Sequence, residues 1–321
     1  MSFTGEVKAE VCSLNTIETE KISELSAIIH NSDITLTSIK VSSENNNIIR
    51  HVYSLIKELY NITPKVVVRR GYNYNKKYIY FLEINNNVFN ILTDLGILNN
   101  NQILITPQDY IYDDDSLTRA YIKGVFLISG SINDPKKSRY HLEILVETEE
   151  YANFIKNLLN KYDLNSKVLK RDNKYMIYIK EAEKIGDFLR IINASKALLY
   201  YEDIRIYRDH KNMTNRLNNC EQANVDKIIT SANNQVKDIE LIMSIGGLDL
   251  LDEKEQVVAN YRMKYKDASL LELSEIISLE TGTKITKSGV NHRMKKITDL
   301  AERIRNKENK EFCFLFLFII V

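Results

Sequence analysis

Residues 267–305 read DASLLELSEIISLETGTKITKSGVNHRMKKITDLAERIR, a pattern of two helices joined by a polar turn. Ser269 and Glu272 have the spacing of a capping box at the start of the first helix. The residues Thr281, Gly282 and Thr283 then interrupt the helical periodicity. The apolar residues recur at steps of three and four, so each helix has one apolar face: Leu270, Leu273, Ile276 and Ile277, then Val290, Met294, Ile297, Ala301 and Ile304. The spacing predicts a helix-turn-helix.

The side of the second helix opposite its apolar face is polar and cationic, and Ser288 is expected to cap this helix. Eight Lys and Arg residues stand against two acids between Lys284 and Lys307, in a chain of net charge +1. The second helix of such a motif enters the major groove of DNA, and flanking cations meet phosphates. We therefore expect double-stranded DNA to be contacted by Lys287, Ser288, Asn291, His292, Arg293, Lys295 and Lys296. A solvated helix in an α-bundle is the alternative.

Length and composition indicate an ordinary globular protein with a packed core. The chain has 321 residues, enough for two domains or three small ones, and its near-zero net charge excludes a protein that coats nucleic acid everywhere. The cysteines Cys12, Cys220 and Cys313 lie far apart, so we expect neither disulfides nor a zinc site. No signal peptide is predicted, and the expected compartment is the cytoplasm.

A single order of elements occurs twice along the chain, at about 21–97 and 116–193. Each copy reads helix, hairpin, helix, hairpin, helix, and YNITPKVVVRR from Tyr60 aligns with YDLNSKVLKRD from Tyr162. We expect an α+β fold, in which this duplicated αββαββα unit forms a curved saddle. The first copy is predicted to have a strand at 34–41, and the hairpin strands of its second half at 65–70 and 77–84.

The remaining segments flank this duplication. We expect an N-terminal arm or helix at 1–20, a linker at 208–222 and a small all-α domain at 223–305. The first helix of that domain is predicted to start near Ala223. Its predicted apolar face consists of Val225, Ile228, Ile229, Ala232, Val236, Ile239, Ile242 and Met243. Residues 306–321 are atypical, since 312–321 are all apolar. They could form a buried terminal strand or a segment that binds a partner, or they could result from a reading-frame error, which is the alternative that we favour.

Three separated stretches resemble one known family. LTRAYIKGVFLISGSINDPKKSRYHLE (residues 117–143) resembles the LAGLIDADG helix of homing endonucleases, in the form found in the bacterial WhiA family. NRLNNCEQANVDK (215–227) and KSGVNHRMKKITDLA (287–301) resemble two further signatures of that family, and the order of parts agrees over residues 2–305. The resemblance implies a degenerate LAGLIDADG scaffold fused to a helix-turn-helix similar to that of sigma factors. It also implies nucleoid-associated transcriptional regulation, linked to cell division, chromosome segregation and sporulation.

A LAGLIDADG nuclease needs a carboxylate at the eighth motif position of each helix, where two acids hold Mg²⁺. Aligning the motif with residues 122–130 and 25–33 places Ser129 and Ser32 at these positions, and a serine hydroxyl is a poor ligand for Mg²⁺. Asp33, one residue away, does not rebuild a two-acid site. The small residues Gly124 and Ala27 remain, as expected of a scaffold kept for its shape. We therefore predict no catalysis, no metal and no cofactor.

Other polar residues are weaker candidates for chemistry. His141 and Glu143 face the same side of a strand and could form a metal pair, whereas His30, His51 and His210 are interpreted as structural. Within the acidic turn 113–115, Asp115 is expected to cap a helix. No membrane contact and no small-molecule substrate are predicted. An endonuclease or RNA-processing enzyme, and a scaffold that binds RNA polymerase, are the alternatives to a DNA-binding regulator.

The two copies of the duplication carry cations on corresponding strands and turns, where a nuclease of this fold faces DNA. These residues are Arg69, Arg70, Lys76, Lys77, Lys167, Lys170, Arg171 and Lys174. Secondary DNA contacts and solvated strand ends explain them equally well.

Overall fold

The computed structural model describes residues 2–70, 78–137 and 139–319, with side chains up to residue 307. It divides into two compact units, Met1–Asp209 and His210–Val321. Among the described residues, no helix is both long enough and apolar enough to cross a bilayer.

The first unit begins with α1 (Phe3–Cys12) and continues with two copies of one arrangement. The first copy consists of α2 (Glu18–His30), β1 (Asp33–Ile34), β2 (Ile39–Ser43), α3 (Asn46–Tyr60), β3 (Lys65–Arg70), β4 (Tyr78–Ile84) and α4 (Val88–Asp94). A two-stranded hairpin follows, β5 (Leu98–Asn99) and β6 (Gln102–Ile103). The second copy consists of α5 (Asp115–Ser129), β7 (Gly130–Ile132), β8 (Leu142–Val146), α6 (Glu149–Asn160), β9 (Lys167–Arg171), β10 (Lys174–Ile179) and α7 (Ala182–Ile191).

The two copies have matching four-stranded antiparallel sheets, in the orders β1-β2-β4-β3 and β7-β8-β10-β9. The turns that precede β3 and β9 also match, because Asn61 and Asp163 both adopt left-handed backbone conformations with φ of 54° and 55°. These turns occupy equivalent places in the alignment made from the sequence, so the predicted duplication is confirmed.

Two details of the first copy differ from the prediction. The single strand expected at 34–41 is the β1–β2 hairpin, whose turn is closed by a backbone hydrogen bond from the Thr35 amide to the Ser38 carbonyl. Thr35 also accepts a hydrogen bond from the Ser38 amide through its hydroxyl, which explains how a segment without glycine or proline reverses direction. The predicted start of the next hairpin strand at Lys77 lies outside the described residues.

The short β5–β6 hairpin, which follows the first copy, was not predicted.

Helices α2 and α5 pack directly against each other in the centre of the first unit. A Cβ atom placed on Gly124 would lie 2.3 Å from the carbonyl oxygen of Glu24 and 2.8 Å from the Cβ of Ala27. The two backbones approach so closely that only glycine fits, as the sequence predicted for this pair of small residues.

We expect Gly124→Ala to lower the free energy of unfolding by about 1–3 kcal/mol, because the added methyl group forces two helix backbones apart. Gly186→Ala in α7 is the matched control, since the nearest atom to its added Cβ is the flexible carboxylate end of Glu202. Urea denaturation followed by tyrosine fluorescence reports on this unit, because 17 of the 19 tyrosines precede residue 210. Equal losses in the two variants would contradict the close approach.

A buried cluster of charges joins α2, α5 and α3. The carboxylate of Glu24 is fully buried and lies 2.7 Å from the ammonium of Lys123 and 2.9 Å from the Nε2 of His51. Burial alone would raise the pKa of Glu24, but the hydrogen bond with His51 and the charge of Lys123 hold it below its usual range. The cluster was missed in the sequence, although an isolated lysine inside the apolar run 120–128 is a detectable signal.

Helix α8 (Ser195–Ile245) includes residues of both units. The predicted helix start near Ala223 is therefore wrong, and the segment 208–222 that was predicted to be a linker lies within α8. The polar segment is helical because residues 195–245 contain neither glycine nor proline, so nothing interrupts the backbone hydrogen bonds. The helix ends where Gly246 and Gly247 begin, as predicted.

The second unit packs the end of α8 with α9 (Glu253–Lys264), α10 (Leu270–Thr281) and α11 (Lys287–Ile319). Part of the apolar face predicted for α8 is buried, including Ile239 and Ile242. The prediction is wrong for Val225, Ile228, Ile229 and Met243, which are 39–48% exposed. The backbone of α11 is helical to Ile319, so the alternative of a terminal strand is also wrong.

Candidate nucleic-acid interface

Helix α10 begins and ends as the sequence predicts. Ser269 and Glu272 form the capping box, in which each side chain accepts a hydrogen bond from the backbone amide of the other. Gly282 ends the helix in the left-handed conformation, with φ of 67°, which glycine adopts without strain.

The turn between α10 and α11 is held by side-chain hydrogen bonds. The Ser278 hydroxyl accepts from the Ile285 amide at 3.0 Å and donates to the Ser274 carbonyl at 2.7 Å. The next helix starts at Lys287, and the amide of Gly289 donates to the hydroxyl of Thr286. Thr286 is therefore the cap, and the expectation that Ser288 caps this helix is wrong. The shift leaves Ser288 exposed in the first turn of α11.

The apolar face of α11 is buried as predicted. It contributes Val290, Met294, Ile297 and Ala301 to the core of the second unit, all at most 2% exposed. They pack with Leu273 and Ile277 of α10 and with Val258 and Ala259 of α9. Because a helix with one face buried must turn the other outward, this packing determines which side chains of α11 face solvent.

The residues predicted to contact DNA lie at or near that solvent-facing side. The exposed ones are Lys287, Ser288, Asn291, His292, Lys295 and Lys296, whereas Arg293 is half-buried. Neither Lys287 nor Lys295 forms an ion pair with any residue that the structure describes. Their charges are therefore free for an external partner.

Lys296 differs from its neighbour Lys295. Its ammonium lies 3.0 Å from the Glu255 carboxylate and 3.9 Å from that of Asp252, at the N-terminal capping box of α9. The hydrogen bond and the charge of Glu255 raise the pKa of Lys296. The charge of Lys296 is therefore partly neutralised within the domain, whereas that of Lys295 is not.

A buried arginine that was not predicted from the sequence contacts the segment that precedes the helix-turn-helix. Arg262 of α9 is 1% exposed, and its guanidinium donates to the carbonyl oxygens of Tyr265 at 3.4 Å and Ala268 at 2.5 Å. These bonds hold the chain that connects α9 to the capping box of α10. In the sequence, Arg262 is indistinguishable from an exposed cation in the last turn of a helix.

The two sheets of the first unit divide their cations between two faces. Each sheet has one face that points away from the core, which we call the open face. Arg69 of β3 pairs with Ile79 and lies on the open face of the first sheet. Arg171 of β9 pairs with Lys174 and lies on the open face of the second sheet. Lys167 lies on the open face as well. Arg70 and Lys170, one residue from Arg69 and Arg171, point to the other face because side chains alternate along a strand. Lys76 and Lys77 lie outside the described residues.

The open-face cations at the two equivalent positions have different surroundings. Arg69 lies over the ring of Phe81, with 5.3 Å between its Cζ atom and the ring centroid. Arg171 lies 3.8 Å from the carboxylate of Glu143, which also contacts the Nε2 of His141 at 3.4 Å and accepts from the Ser131 hydroxyl. His141 and Glu143 thus contact each other instead of pointing together at a shared site.

The positions of the nuclease acids hold uncharged hydroxyls. The Ser32 hydroxyl donates to the Ile28 carbonyl at 2.7 Å, and the Ser129 hydroxyl is buried without a hydrogen-bond partner among the described residues. Asp33 is exposed at the start of β1. No group of three potential metal ligands occurs in the part of the chain that the structure describes.

The remaining candidates have structural contacts. His30 stacks on Tyr151 with 4.7 Å between the ring centroids, His51 contacts Glu24, and His210 is exposed on α8. In the acidic turn the helix cap is Asp114, which accepts from the Leu117 amide, and the expected cap Asp115 is wrong. Asp115 instead pairs with Arg119 and accepts from Tyr162. The thiols of Cys12 and Cys220 are free.

Comparison with known proteins places these features in one family. Three family models match in chain order: the WhiA N-terminal LAGLIDADG-like domain at residues 18–98, the WhiA LAGLIDADG-like domain at 118–211 and the WhiA C-terminal HTH domain at 214–301. The expected fold class, a duplicated LAGLIDADG-like unit followed by a helix-turn-helix domain, is thereby confirmed.

Individual relatives agree over nearly the whole chain. The probable cell division protein WhiA of Oceanobacillus iheyensis is 41% identical, over 96% of this chain and 99% of the relative. The Staphylococcus aureus (strain JH9) protein of the same name is 40% identical, over 97% of this chain and 100% of its own length. The crystal structure of full-length WhiA from Thermatoga maritima superposes with a TM-score of 0.56 at 27% identity, covering 94% of this chain and 99% of that chain. The chain belongs to the WhiA family.

Proposed function

We propose that this protein is a sequence-specific DNA-binding regulator without nuclease activity, and that α11 is its recognition helix. The observation that carries the proposal is the orientation of α11, whose buried apolar face leaves Asn291 and Lys295 on the solvent side. The first turns of the helix thus present an amide, which can make paired hydrogen bonds to an adenine edge, beside a free cation for phosphate. The short polar residues Ser288 and Asn291 allow close approach to bases.

The side chains at the two positions where a LAGLIDADG nuclease has its catalytic acids do not favour nuclease chemistry. Ser32 and Ser129 carry no charge, and the Ser32 hydroxyl already donates to a backbone carbonyl. A single displaced acid, Asp33, supplies one carboxylate, whereas the site of a nuclease uses one carboxylate from each of the two paired helices. The paired helices α2 and α5 then serve as a structural centre of the first unit.

The biological role that we propose follows the family. Relatives carry the name probable cell division protein, and we propose that this protein regulates genes of cell division and chromosome segregation, and of sporulation where that occurs. Binding to DNA would place it at the nucleoid. The open-face residues Arg69, Lys167 and Arg171 are proposed as secondary DNA contacts, whereas Arg70 and Lys170 face the other side of their sheets.

We expect Asn291→Ala to weaken binding at the specific site by about 1–3 kcal/mol and to change binding to scrambled DNA little. Lys295→Ala should weaken both kinds of site alike and reduce the salt slope by about one, because it removes one phosphate contact. Lys296→Ala should have a smaller effect than Lys295→Ala, since the Lys296 ammonium is already paired with Glu255.

The measurement is a binding titration at several salt concentrations, on sites first mapped by crosslinking and sequencing. Lys254→Ala is the matched control, because it removes an exposed charge from α9 of the same unit. If Asn291→Ala and Lys295→Ala behave like this control, α11 does not bind DNA. The helical unit would then be better explained as a binding surface for a protein such as RNA polymerase.

A further inference from the structure

A cavity of about 900 Å³ lies in the first unit, where the N-terminal helix α1 meets the first copy of the duplication. Its walls include the first turns of α1 and α3, the end of β2 and the start of β4. The polar part of the lining includes the hydroxyl groups of Ser2, Thr4 and Ser42 and the side chain of Asn46, and Tyr80 adds an aromatic ring. The volume is in the range of cavities that hold small molecules.

Lys8 is among the residues that line this cavity, and it is 9% exposed. Within the described residues its ammonium has no carboxylate and no hydrogen-bond acceptor, and its closest aromatic contact is the ring of Phe126 at 5.4 Å. By contrast, the buried lysine Lys123 of the same unit is paired with Glu24 at 2.7 Å. An unpaired buried ammonium is unfavourable, and one cation–π contact offsets only part of its lost hydration.

The surroundings of Lys8 do not neutralise its charge. Burial raises the pKa of the neighbouring Cys12 to about 12, so that this thiol stays uncharged. Burial also lowers the pKa of Lys8 to about 8, which still leaves it mostly protonated at neutral pH. The acidic side chain on the cavity wall is that of Glu44, which is exposed at the rim and has a contact of its own.

Two helix N-termini add to the positive potential of the same cavity. The first amides of a helix lack intrahelical acceptors, and the helix dipole places about half a positive charge there. Ser2 caps the Gly5 amide in α1, and Asn45 caps the Asn47 amide in α3. The amides of Thr4 and Asn46, which belong to residues lining the cavity, have no acceptor among the described residues.

We propose that this cavity binds a phosphate group, which would pair with Lys8 and accept hydrogen bonds from the first amides of α1 and α3. An anion with several oxygens can use an ammonium and two helix N-termini at once, as phosphates do at other helix N-termini. The volume leaves room beyond the phosphate, which suits a small phosphorylated molecule. This site is separate from the helix-turn-helix and does not depend on the proposed DNA binding.

The test is isothermal titration calorimetry of the full chain with inorganic phosphate, adenosine monophosphate and adenosine. We expect heat from phosphate or from the monophosphate but not from adenosine. If adenosine monophosphate binds more tightly than inorganic phosphate, the ligand of the cavity is a phosphorylated small molecule. If the two bind equally tightly, the ligand is the free phosphate ion. Displacement of the bound monophosphate by duplex DNA would identify a nucleic-acid phosphate. Absence of heat from both phosphate compounds at millimolar concentration would overturn the proposal.

Two variants test the geometry of the site. Lys8→Met removes the charge at similar volume and should reduce affinity at least tenfold, whereas Lys57→Met, an exposed lysine on α3, should bind as the natural chain does. Asn46→Pro removes one amide donor at the first position of α3, where proline fits a helix, and should reduce affinity severalfold. Unchanged affinity in Lys8→Met and Asn46→Pro would show that the phosphate binds elsewhere.

Discussion

Lys123→Met is expected to lower the free energy of unfolding of the first unit by about 3–5 kcal/mol. The substitution keeps most of the side-chain volume but leaves the fully buried carboxylate of Glu24 with His51 as its remaining partner. A buried charge that loses its partner keeps the cost of desolvation without the compensating attraction. Urea denaturation followed by tyrosine fluorescence measures the loss.

Two further variants test whether the loss of stability comes from breaking the buried ion pair or from removing any lysine. Lys21→Met on α2 removes a surface partner of Glu58, 2.8 Å away, and should cost no more than about 1 kcal/mol. The double variant Glu24→Gln with Lys123→Met removes both charges and should recover most of the stability lost in Lys123→Met. A double variant no more stable than Lys123→Met would show that the loss comes from packing and not from an unpaired charge.

The second large effect is a loss of stability in mild acid that depends on His30. Its Nε2 contacts the carbonyl of Ile105 at 2.7 Å, whereas its Nδ1 is buried with no hydrogen-bond partner among the described residues. Burial lowers the pKa of His30 to about 4 from 6.5. Below pH 6.5 the unfolded chain therefore binds a proton that the folded chain rejects. Stability is retained above this pH and falls by about 3 kcal/mol as the pH drops to 4.

Denaturation of His30→Gln at a series of pH values tests this expectation. Glutamine can still donate to Ile105 but does not titrate, so the stability of this variant should depend less on pH between 6.5 and 4. His210→Gln, at an exposed position of α8, is the control and should follow the natural chain. Identical pH profiles for His30→Gln and the natural chain would assign the acid sensitivity to other groups.

The helix-turn-helix and the duplication could be predicted because their signals are local or repeated. Val290, Met294, Ile297 and Ala301 recur with the period of a helix, and all four are buried as that period requires. Ser269 and Glu272 form the predicted capping box because its spacing involves a single helical turn. Tyr60 and Tyr162 begin segments that align in sequence, and each segment leads through a left-handed residue into the corresponding strand, β3 or β9.

The wrong predictions concern choices between neighbouring residues or depend on distant partners. Thr286 and Ser288 are both acceptable helix caps, as are Asp114 and Asp115, and local chemistry does not distinguish between them. The segment 208–222 is polar enough for a linker, yet it is helical because it continues a helix already started at Ser195. The different surroundings of Lys295 and Lys296 depend on α9, which lies more than thirty residues earlier in the chain.

The residues alone were enough to predict the duplication, the main helices of each copy, the apolar face of α11 and the loss of the nuclease acids at Ser32 and Ser129. Periodicity, capping and motif alignment depend on residues close in the chain, or on comparison of one copy with the other. Three features became visible only in the folded structure: the pairing of Glu24 with Lys123, the neutralisation of Lys296 by Glu255 and the unpaired burial of Lys8. These are effects of charge and desolvation, which depend on the atoms surrounding a group in space and therefore follow only from the packed fold.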